Sequence, residues 1–170
     1  GAVALTNAGN NFTSLNLSTT DADASVVDTG DLALGTVSLG TGNFTLNTNT
    51  GTVTQTGALT TNVADITTGT GTLTLDNAGN NFTSFNLSSI NTDASVVDTG
   101  GLALGTVNLG TGNFTLNTTN GNLTQTGALT SNVADITTGA GTATLTNAGN
   151  NFTSLNLSTT DADASVVDTG

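Results

Sequence analysis

The chain is 170 residues long and contains no Lys, Arg, His, Glu, Cys, Trp, Tyr, Met or Pro. Its only charged side chains are 12 Asp, and the net charge is −12. Without a cation to meet phosphate, nucleic acid and anionic membrane surfaces are poor partners; no apolar run reaches the roughly 20 residues of a bilayer span; and no Ser or Thr has a basic side chain to activate it, so the chain reads as a non-enzyme.

Acidity with few aromatics is also a mark of disorder. Here, however, 35% of the residues are apolar, and they alternate with polar ones. Thr, Val, Leu and Phe alternating between Gly and Asn read as strands and turns. The 22 Gly and the lack of capping boxes argue against helix. The lack of Cys rules out a disulfide scaffold.

Taken in chain order, residues 5–30 read LTNAGNNFTSLNLSTTDADASVVDTG, and the same letters return at 145–170. A close variant occupies 75–100. The period is therefore about 70 residues, which marks a solenoid or similar array rather than a site built once. Residues 1–170 are expected to form one continuous β-helix segment of a longer protein: a partial repeat at 1–70, a full one at 71–140 and a partial one at 141–170. One strand motif recurs at 73–75, 102–104, 123–125 and 143–145. A second follows at 85–87, 114–116, 134–136 and 155–157. Stacking like motifs on like gives coils of 29, 21 and 20 residues, about three to a repeat.

Coils of this size with period-2 alternation predict an all-β, parallel β-helix or β-solenoid. Leu73 and Leu75 are expected to stack on Leu102 and Leu104, with Phe85 and Phe114 inward on neighbouring coils. The long coil would take up residues 18–30 as an added strand pair on its flank. Gln55 and Gln125 fall inward in this register, where an amide without partners costs about 1–3 kcal/mol.

Asp is the one side chain that carries chemistry. DADAS at 21–25 and 161–165 offers carboxylates to a hard cation, so Asp21, Asp23, Asp161 and Asp163 are the candidate Ca²⁺ ligands. The plainer reading is a solvated acidic turn that keeps a rod soluble. No organic cofactor is implied. Asp21 with Asp23 is also the one tight carboxylate pair for glycoside hydrolysis, but no neighbour would make one of them an acid. At three coils per repeat the acidic arms would stand about 14–15 Å apart, with Ca²⁺ bridging neighbouring rods through them. Asn-x-Ser/Thr triplets make Asn11, Asn16, Asn81, Asn86, Asn151 and Asn156 formal glycan acceptors, with further triplets at Asn43, Asn113, Asn117 and Asn122. A chain this rich in Asn and Thr also produces such triplets by composition. Thr52/Thr54, Thr72/Thr74 and Thr142/Thr144 raise an ice-binding reading, but Ala103 breaks the ladder expected to join Thr74 to Thr124 and Thr144.

The units GALTTNVADITTGTGTLTLDNAGNNF (57–82) and GALTSNVADITTGAGTATLTNAGNNF (127–152) resemble repeat tracts of large bacterial exoproteins. These are the filamentous-haemagglutinin-like adhesins exported by two-partner secretion, together with giant biofilm-matrix adhesins. The resemblance spans essentially the whole chain. It implies a right-handed parallel β-helix forming the shaft of a secreted fibrous protein, at the bacterial cell surface or in the extracellular matrix. The N-terminal secretion-recognition domain of such proteins has no counterpart here, and a complete lack of basic residues departs from their usual composition. The expected function is that of a structural spacer in adhesion, aggregation or biofilm matrix, with other copies of itself as lateral or axial partners. The alternatives are a repeat module that binds Ca²⁺ or glycan, the latter as extracellular polysaccharide or a cell-surface glycan, and an ice-binding solenoid.

Overall fold

A computed structural model describes all 170 residues as strands, turns and short loops, without a helix. The strands begin with β1 (Val3–Leu5), β2 (Ser14–Ser18), β3 (Ala24–Val27), β4 (Leu32–Ser38), β5 (Phe44–Asn47) and β6 (Val53–Gln55). They continue with β7 (Leu59–Gly69), β8 (Leu73–Leu75), β9 (Asn81–Ser89), β10 (Ala94–Val97), β11 (Leu102–Asn108) and β12 (Phe114–Asn117). The last are β13 (Leu123–Gln125), β14 (Leu129–Gly139), β15 (Ala143–Leu145), β16 (Asn151–Thr159) and β17 (Ala164–Val166).

Each strand pairs in parallel with the strand two places on. The chain therefore winds between two stacks, one of odd-numbered and one of even-numbered strands, and two strands complete a coil. The 17 strands make about eight coils of a β-solenoid, a rod about 40 Å long at the usual spacing of about 4.8 Å. The long strands β7 and β14 bend at a corner. Their first residues pair with β4 and β11, and their later residues with β5 and β12.

The step from coil to coil is nearly uniform. Val3 lies under Ala24, Ala24 under Phe44, Phe44 under Ala64 and Ala64 under Phe85. The expected steps from Leu102 to Leu123 and from Leu123 to Ala143 are found, whereas the expected long coil from Leu73 to Leu102 is replaced by a step of ordinary length from Leu73 to Ala94. Residues 18–30 are not an insertion, because β3 is an ordinary member of the odd stack between β1 and β5. One repeat holds seven strands (β2–β8, then β9–β15), which at two per coil is three and a half coils, not three. The odd strand count has a geometric consequence. Equivalent strands of successive repeats, such as β2 and β9, fall in opposite stacks, so each repeat is turned half a revolution from the last.

The core follows from alternation. Phe85, Phe114 and Leu104 are fully buried, as their inward positions require. Their neighbours differ in part from those expected, since Leu102 and Leu104 do not lie over Leu73 and Leu75 although they do lie under Leu123 and Gln125. Leu73 stacks between Val53 and Ala94, and Leu104 between Phe85 and Gln125. Large and small side chains alternate along the columns: Ala24, Phe44, Ala64 and Phe85 in one stack, Ala94, Phe114 and Ala134 in the other. An Ala on each side gives the rings of Phe44 and Phe114 room in a dense core, while Phe85 lies between Ala64 and Leu104. Phe82 packs on Phe85 with ring centroids 5.9 Å apart.

The corners need backbone that few residues adopt. Asp21, Gly40, Asn49, Gly69, Asn91, Gly110, Gly139 and Asp161 all turn the chain at φ between 52° and 60°. Gly, Asn and Asp visit this left-handed region at least cost. Another corner is tight for a different reason. A Cβ on Gly51 would overlap the Gly30 carbonyl oxygen, and one on Gly121 that of Gly100, so these columns admit no side chain.

One corner breaks the rule. Thr119, at φ 55°, is β-branched, and Asn120 beside it sits at φ 149°. The equivalent of Thr119 one repeat earlier is Asn49, also at φ 55°. A β-branched residue in this region costs about 1–2 kcal/mol. Thr119→Asn is therefore expected to stabilise the rod by about 1 kcal/mol, read as a higher thermal midpoint by circular dichroism. An unchanged or lower midpoint would contradict the strain.

Candidate functional site

The solvent meets this rod on two flat faces and along its corners. On the even face the outward residues of successive coils are Ala33, Thr54, Thr74, Ser95, Thr115 and Asp135. Four hydroxyls thus follow one another without a break. The expected break at Ala103 does not fall in this column, because Thr74 lies between Thr54 and Ser95, while Ala103 belongs to the odd face under Thr124. Shallow troughs run beside these columns. One is lined by Thr72, Thr74, Asp93, Ser95, Asn113 and Thr115, and a second by Thr52, Thr54 and Asp31 among others. A third, on the odd face, holds Asp65 with Asn86, Ser88 and Thr106.

The corners show why the chain is rich in Asn and Asp. Where the strand ladder stops, a backbone N–H has no carbonyl one coil away, and a side-chain oxygen from the preceding coil accepts it instead. Asn16 Oδ1 accepts from Thr36 N at 3.0 Å and Asn86 Oδ1 from Thr106 N at 3.1 Å. Asp21 Oδ1 accepts from Thr41 N at 3.0 Å, Asp23 Oδ1 from Asn43 N at 2.8 Å and Asn91 Oδ1 from Thr111 N at 3.1 Å. Asp93, Asn120 and Asn122 do the same for Asn113, Ala140 and Thr142. These side chains stitch each coil to the next.

Two polar groups go deeper. Asn80 is fully buried. Its Oδ1 accepts from Leu59 N at 2.9 Å and from Gln55 Nε2, and its Nδ2 faces Gln55 Oε1, Leu75 O and Val97 O. Asn150 repeats the arrangement with Gln125. The inward amides of Gln55 and Gln125 thus find their partners in these Asn residues. The second group is Asp98, buried without any cationic side chain in the chain. Its Oδ1 accepts from Phe82 N at 2.8 Å and its Oδ2 from Gly100 N at 2.9 Å. Burial pushes its carboxyl above the ordinary 3.8, and the backbone donors of Phe82, Gly100 and Thr99 pull it back in part. Asp28 makes the same two contacts, to Phe12 N and Gly30 N.

The residues singled out from the sequence land as follows. Asp21 and Asp23 are exposed on one corner and already accept hydrogen bonds from the next coil. Asp161 and Asp163 are exposed two repeats further on, seven coils away on the same side, so the two pairs are not brought together. No group of three or more acidic side chains converges anywhere. The intervening arm, at Asn91 and Asp93, lies on the opposite side of the rod. Successive arms are thus about 17 Å apart along the axis rather than 14–15 Å, and they do not share a face. Among the Asn-x-Ser/Thr residues, Asn11, Asn81 and Asn151 are exposed beside Gly30, Gly100 and Gly170. Asn156 lies next to Asp135 in the outward column of the even face. Asn16, Asn86 and Asn122 are inter-coil acceptors, Asn43 and Asn113 accept from Asn62 and Asn132, and Asn117 accepts from Thr119 N. Sequence reasoning missed the acceptor role. Its signal is an Asn or Asp one coil before a corner residue.

These features define a parallel β-solenoid repeat protein whose polar side chains serve mainly to join coils. The chain belongs to the family described as repeats of unknown function (DUF5649), whose model matches it twice, over residues 21–88 and 91–163. The two matches start at Asp21 and Asn91, which are equivalent corners of successive repeats. No curated protein and no solved structure matches the chain.

The buried carboxylate sets the sign of the pH dependence. The folded-state value of Asp98 is raised, so the folded rod holds that proton more tightly than the unfolded chain. Its stability contribution is fully present below 3.8 and is lost as pH rises through the raised value. No side-chain salt bridge exists to be broken by acid, and acid relieves mutual repulsion among the carboxylates. The thermal midpoint is therefore expected to rise as pH falls from 7 to 4. A midpoint that falls over this range would contradict the assignment.

Proposed function

We propose that the chain is a rigid shaft segment of an extracellular fibrous adhesin or filament. In this reading it holds a distal binding region away from the cell, or spans a biofilm matrix, after export by a two-partner or related route. The observation that carries the reading is the coil-to-coil backbone ladder, with Asn and Asp side chains joining one coil to the next where it stops at the corners. Such a rod lengthens without limit by adding repeats, and each coil brings its own core and its own stitches. The resemblance to adhesin repeat tracts and the lack of Cys support a place outside the cell.

The supporting experiment lengthens the array. Proteins with two, four and six repeats, viewed by negative-stain electron microscopy, are expected to be straight rods that gain about 17 Å per repeat. In a producing cell, deleting internal repeats should reduce aggregation while the terminal regions still bind their targets in solution. Rods that collapse or bend as repeats are added, or cells whose aggregation ignores shaft length, would overturn the spacer reading.

A further inference from the structure

The even-face trough has a composition that a spacer does not require. Thr72, Thr74, Ser95 and Thr115 point outward because the residues between them, Leu73, Ala94 and Phe114, are buried. Among these hydroxyls sits one carboxylate, Asp93, which uses Oδ1 to hold Asn113 N at 2.8 Å and leaves Oδ2 to the solvent. Three coils away on the same edge, Asp31 is placed in the same way: its Oδ1 holds Thr52 N at 2.9 Å beside Thr54 and Ala33. The trough on the odd face again contains one carboxylate, Asp65, among hydroxyl and amide side chains.

The charge of the rod selects the occupant. With a net charge of −12 and no basic side chain, a second copy of the chain, a nucleic acid and an anionic polysaccharide are all repelled. A neutral glycan meets no aromatic platform, since five of the six Phe are buried and Phe12 is packed against the core. A polymer with both hydroxyls and spaced ammonium groups satisfies both halves of the trough. Its hydroxyls exchange hydrogen bonds with the Thr and Ser row, and its ammonium groups pair with Asp31 and Asp93, about 14–15 Å apart along the axis.

We propose that the even face, with its two troughs in line, binds an amino-sugar polysaccharide lying along the rod, with Asp31 in one trough and Asp93 in the other as its charge-reading residues and the row Thr54, Thr74, Ser95 and Thr115 as its hydroxyl-reading strip. Because successive repeats face opposite ways, the equivalent strip of the next repeat, Thr124, Thr144 and Ser165, presents itself on the other side, where Asp163 repeats Asp93 but Gly101 stands in place of Asp31. The binding is read in solution on the purified chain and does not depend on where the shaft operates.

The test compares variants of equal charge. Asp31→Asn with Asp93→Asn keeps both oxygen acceptors for Thr52 N and Asn113 N, so the coils remain joined. The control, Asp21→Asn with Asp76→Asn, removes the same two charges outside the trough. It places residues tolerated at equivalent corners, since Asn91 stands where Asp21 does and a short polar Thr146 where Asp76 does. The probe is a soluble polyglucosamine, measured by biolayer interferometry at fixed salt beside its fully N-acetylated form and polylysine. Polyglucosamine is expected to bind, the trough variant to weaken it by about fivefold, and the control to change it by less than about twofold. The acetylated form is expected to bind more weakly than the amine form. Equal losses in the two variants, polylysine binding as tightly as polyglucosamine with the same response to the variants, or no binding of polyglucosamine would each overturn the proposal.

Discussion

Everything in this rod depends on one backbone register, in which each strand residue hydrogen-bonds to the coil above and the coil below. The ladder satisfies the peptide groups of the strands, and at the corners, where it stops, Asn and Asp oxygens from the coil below take over. The repeat length is set against this register rather than by it. One repeat holds seven strands and a coil uses two, so the repeat closes only after a half turn. The sequence must therefore suit both stacks. A strand such as β2 lies in the even stack, and its equivalent β9 in the odd one, with the same inward pattern in both.

This explains which parts of the fold were legible in the residues alone. Period-2 alternation identifies the inward side chain whichever stack it belongs to, so the burial of Leu104, Phe85 and Phe114 followed from pattern. Alternation carries no information about which strand lies above which. Stacking like motifs on like holds for 102–104, 123–125 and 143–145 and for 114–116, 134–136 and 155–157, but it fails where it places Leu102 over Leu73, because Ala94 follows Leu73 in the even stack and Leu102 lies in the odd one. The same error broke the Thr ladder at Ala103 and turned β3 into a flank. The nearly equal steps between Ala24, Phe44 and Ala64 carry the register through the part of the repeat where motif matching fails. The partner of Gln55 was illegible for a related reason. Asn80 lies more than a full coil away along the chain, and only the closed coil brings the two amides together.

The candidate sites were legible as residue types but not as roles. Asp21 and Asp23 drew attention as carboxylates, and Asn16 and Asn86 as glycan triplets. All four accept a hydrogen bond from the next coil. Short polar side chains at a corner are explained first by the backbone they satisfy. What remains after that subtraction includes the outward hydroxyl row, the carboxylates of Asp65 and Asp135, and the second oxygens of Asp21, Asp23, Asp31 and Asp93. The absence of any basic residue fits the same economy. No side-chain ion pair holds the rod together, so its cohesion rests on the ladder and on alternating Phe and Ala in the core.

The register is open to a direct chemical measurement, because the chain has no Cys of its own. Residues facing each other across neighbouring parallel strands lie within the span of a disulfide, about 4.4–6.8 Å between Cα atoms. In the regular register Thr74 is opposite Ser95. In the register of unequal coils, with like motifs stacked on like, it would be opposite Ala103. Thr74→Cys with Ser95→Cys is expected to oxidise quantitatively to an intrachain disulfide, seen by mass spectrometry without reductant, while Thr74→Cys with Ala103→Cys keeps two free thiols. A disulfide in the second pair and none in the first would contradict the half-turn repeat on which the whole account rests.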